Sequence, residues 1–266
     1  MEHHAGVTDE LDFVLAADRN LLGSYGRLVA HNATGTVRTF GGVMAFTTGL
    51  PLILFNGCLV VERAGAEDLD RALEWLGGLG FRYRIAIREA FAGDLRATVI
   101  GRGLVEVARL DPAMILHPIP PIPPLPNGVS VRPVVSDADL DEYHGVFIAA
   151  GLPPEVAERM LPTAFATDPD VRLFTAYLDG RAVGTSVAVR TGDIAGVYAV
   201  GTLPEARRRG VGTAATWAAV GAATDWGCEM VVLQATASGF PVYEAMGFRT
   251  VVRYVAFESP RLTDKP

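Results

Sequence analysis

The stretch "LPEARRRGVGTAAT", residues 203–216, sets three consecutive arginines and a Gly-x-Gly pair between a proline and an alanine-rich run. Pro204 ends a strand-like segment, and Gly210 and Gly212 open a helical one, so the stretch reads as a strand-to-helix turn. A helix start of this kind leaves backbone N–H groups without partners, and the helix dipole favours negative charge beside them. Glycine at 210 and 212 removes the Cβ atoms that would hold a phosphate away. Arginine adds planar, permanently charged forks matched to phosphate oxygens. The turn is built as an anion site. It lacks the Gly-Lys-Ser/Thr of a nucleoside triphosphate loop and the spacing Gly-x-Gly-x-x-Gly, and runs instead Arg-x-x-Gly-x-Gly from Arg207 to Gly212. These residues alone leave the phosphate ligand open, and they leave open a solvated charge run capping an ordinary helix.

Working outward, "VRLFTAYLDGRAVGTSVAVRTGDIAGVYAVGT" (171–202) holds three strand-like runs divided by Asp179-Gly180 and Gly192-Asp193 turns. Before it come a strand "VSVRPV" (129–134), a helix capped by Ser136 or Asp137, and a second helix over 153–165. After the arginine turn come an alanine-rich helix, a buried strand "MVVLQAT", a short helix "GFPVYEAMGF" and a last strand "TVVRYVAF". Upstream, "HPIPPIPPLPNG" (117–128) is too rich in proline for helix or central strand and reads as a stiff connector. The first 116 residues predict a helix over about 8–31, a hairpin, a helix "AEDLDRALEWLGGLG", a strand "RYRIAIRE" and a strand near "GLVEVARL". "LVVERAGAEDLDRALEWLGGLGFRYRIAI" repeats the strand, turn, tryptophan-bearing helix, glycine break and strand of residues 198–233, a hint of internal duplication. The expected organisation is therefore an α/β unit over 1–116, a linker over 117–128 and a second unit over 129–266.

The chain has 266 residues and half of them are apolar, enough for two modest cores. Its formal net charge of −7 and scattered basic residues argue against nucleic acid as a partner. Cys58 and Cys228 are too few and too far apart for a disulfide framework and read as free thiols of a cytoplasmic protein. The acidic start, "MEHHAGVTDELDF", does not read as a secretory signal. "VMAFTTGLPLILFNGCLVV" (43–61) is uncharged and long enough to cross a bilayer. Gly49, Pro51 and above all Asn56-Gly57 break it into two buried strands with a hairpin turn, so no membrane is expected.

With this context the turn is no longer isolated. "VYAVGTLPEARRRGVGTAAT" resembles the acyl-CoA-binding motif of the GNAT superfamily of N-acetyltransferases, and "LQATASGFPVYEAMGF" resembles the strand and helix that follow it there. The resemblance covers residues 129–257 and implies a mixed central sheet flanked by helices, α/β (α+β) in class. It implies acetyl-CoA as co-substrate, no metal, and a pyrophosphate held by Arg207, Arg209, Gly210, Val211, Gly212 and Thr213. Val200 and Thr202 would bind the pantetheine arm through their backbone. Tyr243 falls where the family places a tyrosine near the thioester sulfur, as the acid that protonates the leaving thiolate; on its own it reads equally well as a core aromatic. Thr236 stands where many members carry an asparagine that binds the cofactor. The chain stops soon after Phe257, so the family's last strand is expected to be missing or supplied by another segment or subunit.

The resemblance implies acetyl transfer to a primary amine, on a small molecule or a peptide. The alternative is a non-catalytic acyl-CoA-binding sensor. No general base stands out: Asp193 lies in a distant turn, Glu205 beside the phosphate site, and His144 on a helix is a weak candidate. In the first unit Glu67 and Asp68 occupy the matching helix start, where they complement the dipole and repel phosphate. That half looks like a degenerate copy, preceding the catalytic one as in tandem members of the family. Oligomeric state stays open, a homodimer included.

Overall fold

The computed structural model describes residues 10–107 and 111–260. The readings of the first nine residues, and of the end of "GLVEVARL" at 108–110, lie outside them. The first half runs α1 (Glu10–Ala30), β1 (Thr36–Phe40), β2 (Val43–Thr47), β3 (Asn56–Val60), α2 (Ala66–Gly78), β4 (Arg84–Arg88), α3 (Glu89–Gly101), β5 (Val105–Glu106) and β6 (Asp111–Leu116). The second runs β7 (Val129–Pro133), α4 (Asp137–Ala149), α5 (Pro154–Met160), α6 (Thr163–Ala166), β8 (Val171–Leu178), β9 (Arg181–Thr191), β10 (Ile194–Thr202), α7 (Val211–Asp225), β11 (Met230–Gln234), α8 (Phe240–Ala245) and β12 (Arg249–Glu258).

All the strands join one mixed sheet, in the order β1-β2-β3-β4-β12-β6-β11-β10-β9-β8-β7, with β5 beside β12. The two halves are interlaced. β6, from before the proline-rich connector, lies between β11 and β12, with Val231 opposite Leu116 and Tyr254 opposite Asp111. β12, the last strand in the chain, lies against β4, with Tyr254 opposite Arg88 and Phe257 opposite Ile85. The strand expected from another segment is thus β6.

Both faces are covered. On one face α2 packs Leu69, Ala72, Leu73 and Leu76, a helical i, i+3, i+4, i+7 stripe, on Cys58, Val60, Ile85, Ile87 and Phe257. On the same face the small side chains of α7 pack on Ala195, Val197, Val231 and Leu233. On the other, α1 crosses the junction and buries Phe13, Ala17 and Leu21 against Ile115, Ile194, Val232 and Tyr254. Two polar ties hold it there. Buried Asp18 accepts hydrogen bonds from Tyr254 and Arg88. At the far end Arg27 donates to Asp168 at 2.6 Å and to Asp170 at 2.9 Å, and His31 meets Asp168 at 2.7 Å.

Burial works against the Asp168 charge, but the Asp170 amide, His31 and Arg27 outweigh it and hold the carboxyl below its ordinary value of 3.8. A depressed carboxylate contributes stability that is present above the unfolded value and is lost as pH falls through the depressed one. Asp168→Asn is therefore expected to lower stability at neutral pH by about 1–3 kcal/mol, because it removes one of the two carboxylates that hold half-buried Arg27 and the one that meets His31. The difference from the unmodified protein should shrink as pH falls below 3.8 and through the depressed value, in denaturant titrations run across pH.

Local readings largely agree with the structure. The turns at 179–180 and 192–193 and the Ser136 cap, which accepts from the Asp139 amide, are as expected. One correction concerns Asn56-Gly57. The pair is not the hairpin turn but the start of β3, with residues 48–55 making the connection between β2 and β3. Asn56 is buried, and its amide clamps that loop by donating to the carbonyls of Leu50 and Leu52, at 2.8 and 2.9 Å, while its oxygen accepts from Thr47. Gly57 is required by the sheet, since a Cβ there would lie 1.7 Å from the Arg84 carbonyl oxygen. The expected helix over 153–165 breaks at Leu161, because Pro162 has no N–H to continue it.

Candidate active site

Residues 204–206 form a single 3-10 turn between β10 and the arginines, and Gly210 caps α7 at φ +80°. Arg208 also takes a left-handed φ of +64°. Two such residues within three positions fold the backbone back on itself, turning successive N–H groups outward as an anion-binding concavity. The N–H groups from Arg208 to Thr213 make no hydrogen bond to the described residues, whereas the Ala214 N–H is the first to bond within the helix, to Gly210. A Cβ on Gly210 would sit 2.7 Å from the ring of Pro126, which the connector lays against the turn. Arg207 donates to the Thr202 carbonyl at 3.3 Å, and Arg209 stands 3.8 Å from Asp179; both guanidinium groups are exposed. Val211 is buried, anchoring the turn among Val183, Leu203 and Ala214, while Gly212 and Thr213 are half-buried.

The strand leading into this turn parts from its neighbour. β10 pairs with β11 only from Ile194 to Gly196, so its edge from Val197 to Thr202 has no strand on that side. On the other side its register with β9 shifts between Tyr198 and Gly201, around Ala199 at φ +48°. The Thr185 hydroxyl donates to the Ala199 carbonyl at 2.8 Å and fixes this bulge. Val200 and Thr202 are both half-buried on the free stretch.

Tyr243, on α8, packs against the same apolar cluster as Val200 and meets the Phe248 ring edge-on at 5.9 Å. Its hydroxyl makes no hydrogen bond to the described residues, and burial pushes its pKa above 10.0, so it stays protonated through neutral pH. Gly239 makes room for it, since a Cβ there would lie 2.8 Å from the Tyr243 ring. Thr236 is exposed and accepts from the Gly239 N–H at 3.1 Å, so its hydroxyl helps start α8.

The weak base candidate His144 is corrected by the structure. It is buried, with Nε2 3.0 Å from the Leu161 carbonyl between α4 and α5. Asp193 faces Arg19 and Glu205 faces Arg181, both as exposed pairs. Gln234 is a residue that sequence reasoning missed. It ends β11 in the mouth of the splay, with its side-chain nitrogen buried and unpartnered. A polar residue closing the apolar run "MVVL" is the signal that could have found it.

In the first half β3, α2 and β4 repeat the parallel strand–helix–strand order of β10, α7 and β11, without the splay. Every residue of β3 from Gly57 to Val60 is paired with β4. The α2 start presents Glu67 and Asp68 where the α7 start presents glycine.

The splayed parallel pair of β10 and β11, with the glycine-opened α7 between them, thus leaves a free strand edge leading into unpaired helix-start amides. Residues 139–248 match the model of the acetyltransferase (GNAT) family. The mycothiol acetyltransferase of Pseudarthrobacter chlorophenolicus is 36% identical over an alignment of 142 residues that covers 47% of this chain. The chain spans 43% of that relative's length. In fold it is similar to a GCN5-related N-acetyltransferase from Kribbella flavida, with a TM-score of 0.69, 19% identity, and 93% of this chain and 98% of that one covered. It is also similar to a tandem GNAT protein from the clavulanic acid biosynthesis pathway, with a TM-score of 0.58, 13% identity, and 93% and 94% covered. Among the described residues no helix is long and apolar enough to cross a membrane, and no three His, Cys, Asp or Glu side chains gather as metal ligands.

Proposed function

We propose that this protein is an N-acetyltransferase that moves the acetyl group of acetyl-CoA to a primary amine on a small molecule or peptide. The observation that carries the reading is continuity. The free edge of β10 from Val197 to Thr202 leads directly into the unpaired amides of Arg208 to Thr213. One anionic end and one extended polar arm describe coenzyme A: the amides, with Arg207 and Arg209, suit its diphosphate, and the edge of β10 at Val200 and Thr202 suits its pantetheine. Thr236 is the polar group at the α8 end of the same site.

In the transfer the acceptor nitrogen forms the new C–N bond to the acetyl carbonyl as the C–S bond breaks. The amine gives its proton to water, and Tyr243 gives the phenol proton to the departing sulfur. Its raised pKa suits an acid, since activity is retained through neutral pH and falls only as pH rises through that raised value. The first half is proposed as a degenerate copy without a coenzyme site, because its fully paired β3 offers no free edge and its acidic helix start repels phosphate.

Tyr243→Phe tests the assignment. Turnover over a panel of amines, read as free thiol release, should fall about a hundredfold with acetyl-CoA affinity unchanged. The alkaline limb of the unmodified enzyme, which should lie above pH 10.0, should disappear in the variant. The engagement of His144 with Leu161, which leaves the site without that base, favours a second reading as a non-catalytic acyl-CoA sensor. Coenzyme binding with no acceptor in the panel, and indifference to Tyr243→Phe, would select it.

A further inference from the structure

One buried polar side chain lies outside every function assigned above. Asn20, on α1 of the first half, is fully buried against β9 and β10 of the second. Its side-chain nitrogen donates to the Val189 carbonyl at 3.1 Å and to the Thr191 hydroxyl at 3.3 Å, with the Ile194 carbonyl at 3.5 Å. Its oxygen accepts the Tyr198 hydroxyl at 2.6 Å and lies 3.4 Å from the Ser24 hydroxyl. The amide orientation is set by the Val189 and Ile194 carbonyls, which can only accept, so the nitrogen faces them and the oxygen faces the Tyr198 hydroxyl.

The position is as informative as the bonds. Gly196 is the last residue of β10 paired with β11, opposite Val232, so the two strands part immediately after it. A Cβ on Gly196 would lie 1.9 Å from the Asn20 oxygen and 2.5 Å from the Tyr198 ring. The Asn20 carboxamide therefore occupies the place of a side chain on β10 at the fork of the splay. Tyr198, which it pins, directly precedes Ala199 at φ +48°, where the strand is re-aimed. A left-handed alanine persists only where its surroundings hold it. Thr185 holds its carbonyl from one side, and the Asn20–Tyr198 pair holds the residue before it from the other.

We propose that Asn20 is a positioning residue for the acetyl-CoA strand: the first half reaches across the sheet with one carboxamide and sets where β10 leaves β11. This rests on the transferase reading above. Its consequence is an active role for a half without a coenzyme site of its own, since the pantetheine edge takes its path from α1. The diphosphate turn, eight residues and more beyond Tyr198 and anchored by Val211, is independent of the clamp.

That independence supplies the test. Acetyl-CoA and its adenosine diphosphate fragment, which lacks the pantetheine arm, are titrated calorimetrically into the unmodified protein, Asn20→Asp, Asn20→Leu and Tyr198→Phe. Tyr198→Phe keeps the ring and removes only the hydroxyl, so it folds even where Asn20→Leu does not. The expected result is about a tenfold loss of acetyl-CoA affinity in Tyr198→Phe and Asn20→Asp, with the fragment bound as before. Loss of global stability alone would weaken both ligands together or neither. Equal effects on both ligands, or none on either, overturn the positioning role while acetyl-CoA binding by the unmodified protein keeps the transferase reading intact. Failure of the unmodified protein to bind acetyl-CoA overturns both.

Discussion

Gly210→Val is expected to weaken acetyl-CoA binding on the order of a hundredfold, an effect of roughly 3 kcal/mol. Two independent strains contribute. Gly210 sits at φ +80°, which a β-branched residue adopts only at a cost of about 1–2 kcal/mol. Any Cβ there also meets Pro126 at 2.7 Å, and that ring belongs to a connector whose Ile122 leans on Gly221 farther along α7. Neither side can yield without moving, so the first turn of α7 must rotate or the connector must lift. Either response disperses the amides of Arg208 to Thr213, whose value to a diphosphate lies in pointing at one place. Gly212→Ala is the internal comparison. Its Cβ would meet the Thr202 hydroxyl at 3.3 Å, a contact a few tenths of an ångström can relieve, and Gly212 has no positive φ. The fold should accept alanine at 212 and resist valine at 210, as thermal midpoints measured beside calorimetric titration will register. Equal affinity in the unmodified protein and Gly210→Val would remove the turn from the coenzyme site.

The distribution of what was legible follows from the range of the interactions. The second half is punctuated by residues whose local chemistry decides their backbone: Asp179-Gly180 and Gly192-Asp193 as turns, Ser136 as a cap, Pro204 as a strand end, and Gly210 as the start of α7. Each acts within a few residues and reads directly. Asn56-Gly57 misled because its local meaning, a tight turn, lost to tertiary demand. The asparagine is spent on a buried clamp of Leu50 and Leu52, and the glycine on close passage of β4. β1 left no signal because four of its five residues are exposed and it carries no alternation to detect. The α3 helix was missed beside it, since its apolar residues Ala92, Leu95 and Val99 make a thin stripe in an otherwise mixed run.

The site divides the same way. The arginine turn is contiguous, and its amides without a partner among the described residues follow Arg207 and span Gly210 and Gly212. Asn20 and Gln234 were invisible because their meaning depends on partners far away in sequence, 169 residues in the case of Asn20 and Val189. The polar run "DRN" inside the apolar α1 was the trace Asn20 left, and it reads equally well as a solvated face. His144 failed in the opposite direction, since a helical histidine reads as exposed until Leu161 closes over it.

The second large effect concerns cutting the chain. A fragment of residues 117–266 contains the whole matched family segment, 139–248, and is nevertheless expected not to fold. It lacks β6, which pairs with β11 along four positions and with β12 along five, so both strands would be left with bare edges facing a gap. It also lacks α1, exposing Ile194, Val232 and Tyr254, each buried to within 2% of completeness. Uncovering three such side chains costs on the order of 5 kcal/mol, comparable to the whole stability of a modest domain. The complementary fragment fails for the mirror reason, because β4 and β5 lose their pairing with β12. The connector itself carries no such burden: residues 118–126 belong to no strand or helix, and Ile122 and Leu125 are 47% and 45% exposed. Cleavage within 118–126 of the folded protein should therefore leave the fragments together, with acetyl-CoA affinity intact, on a sizing column. Coexpression of residues 1–116 with 117–266 should likewise restore solubility that neither fragment shows alone. A soluble, cooperatively melting 117–266 fragment would show that the exchange of β6 and β12 decorates two independent folds instead of building one.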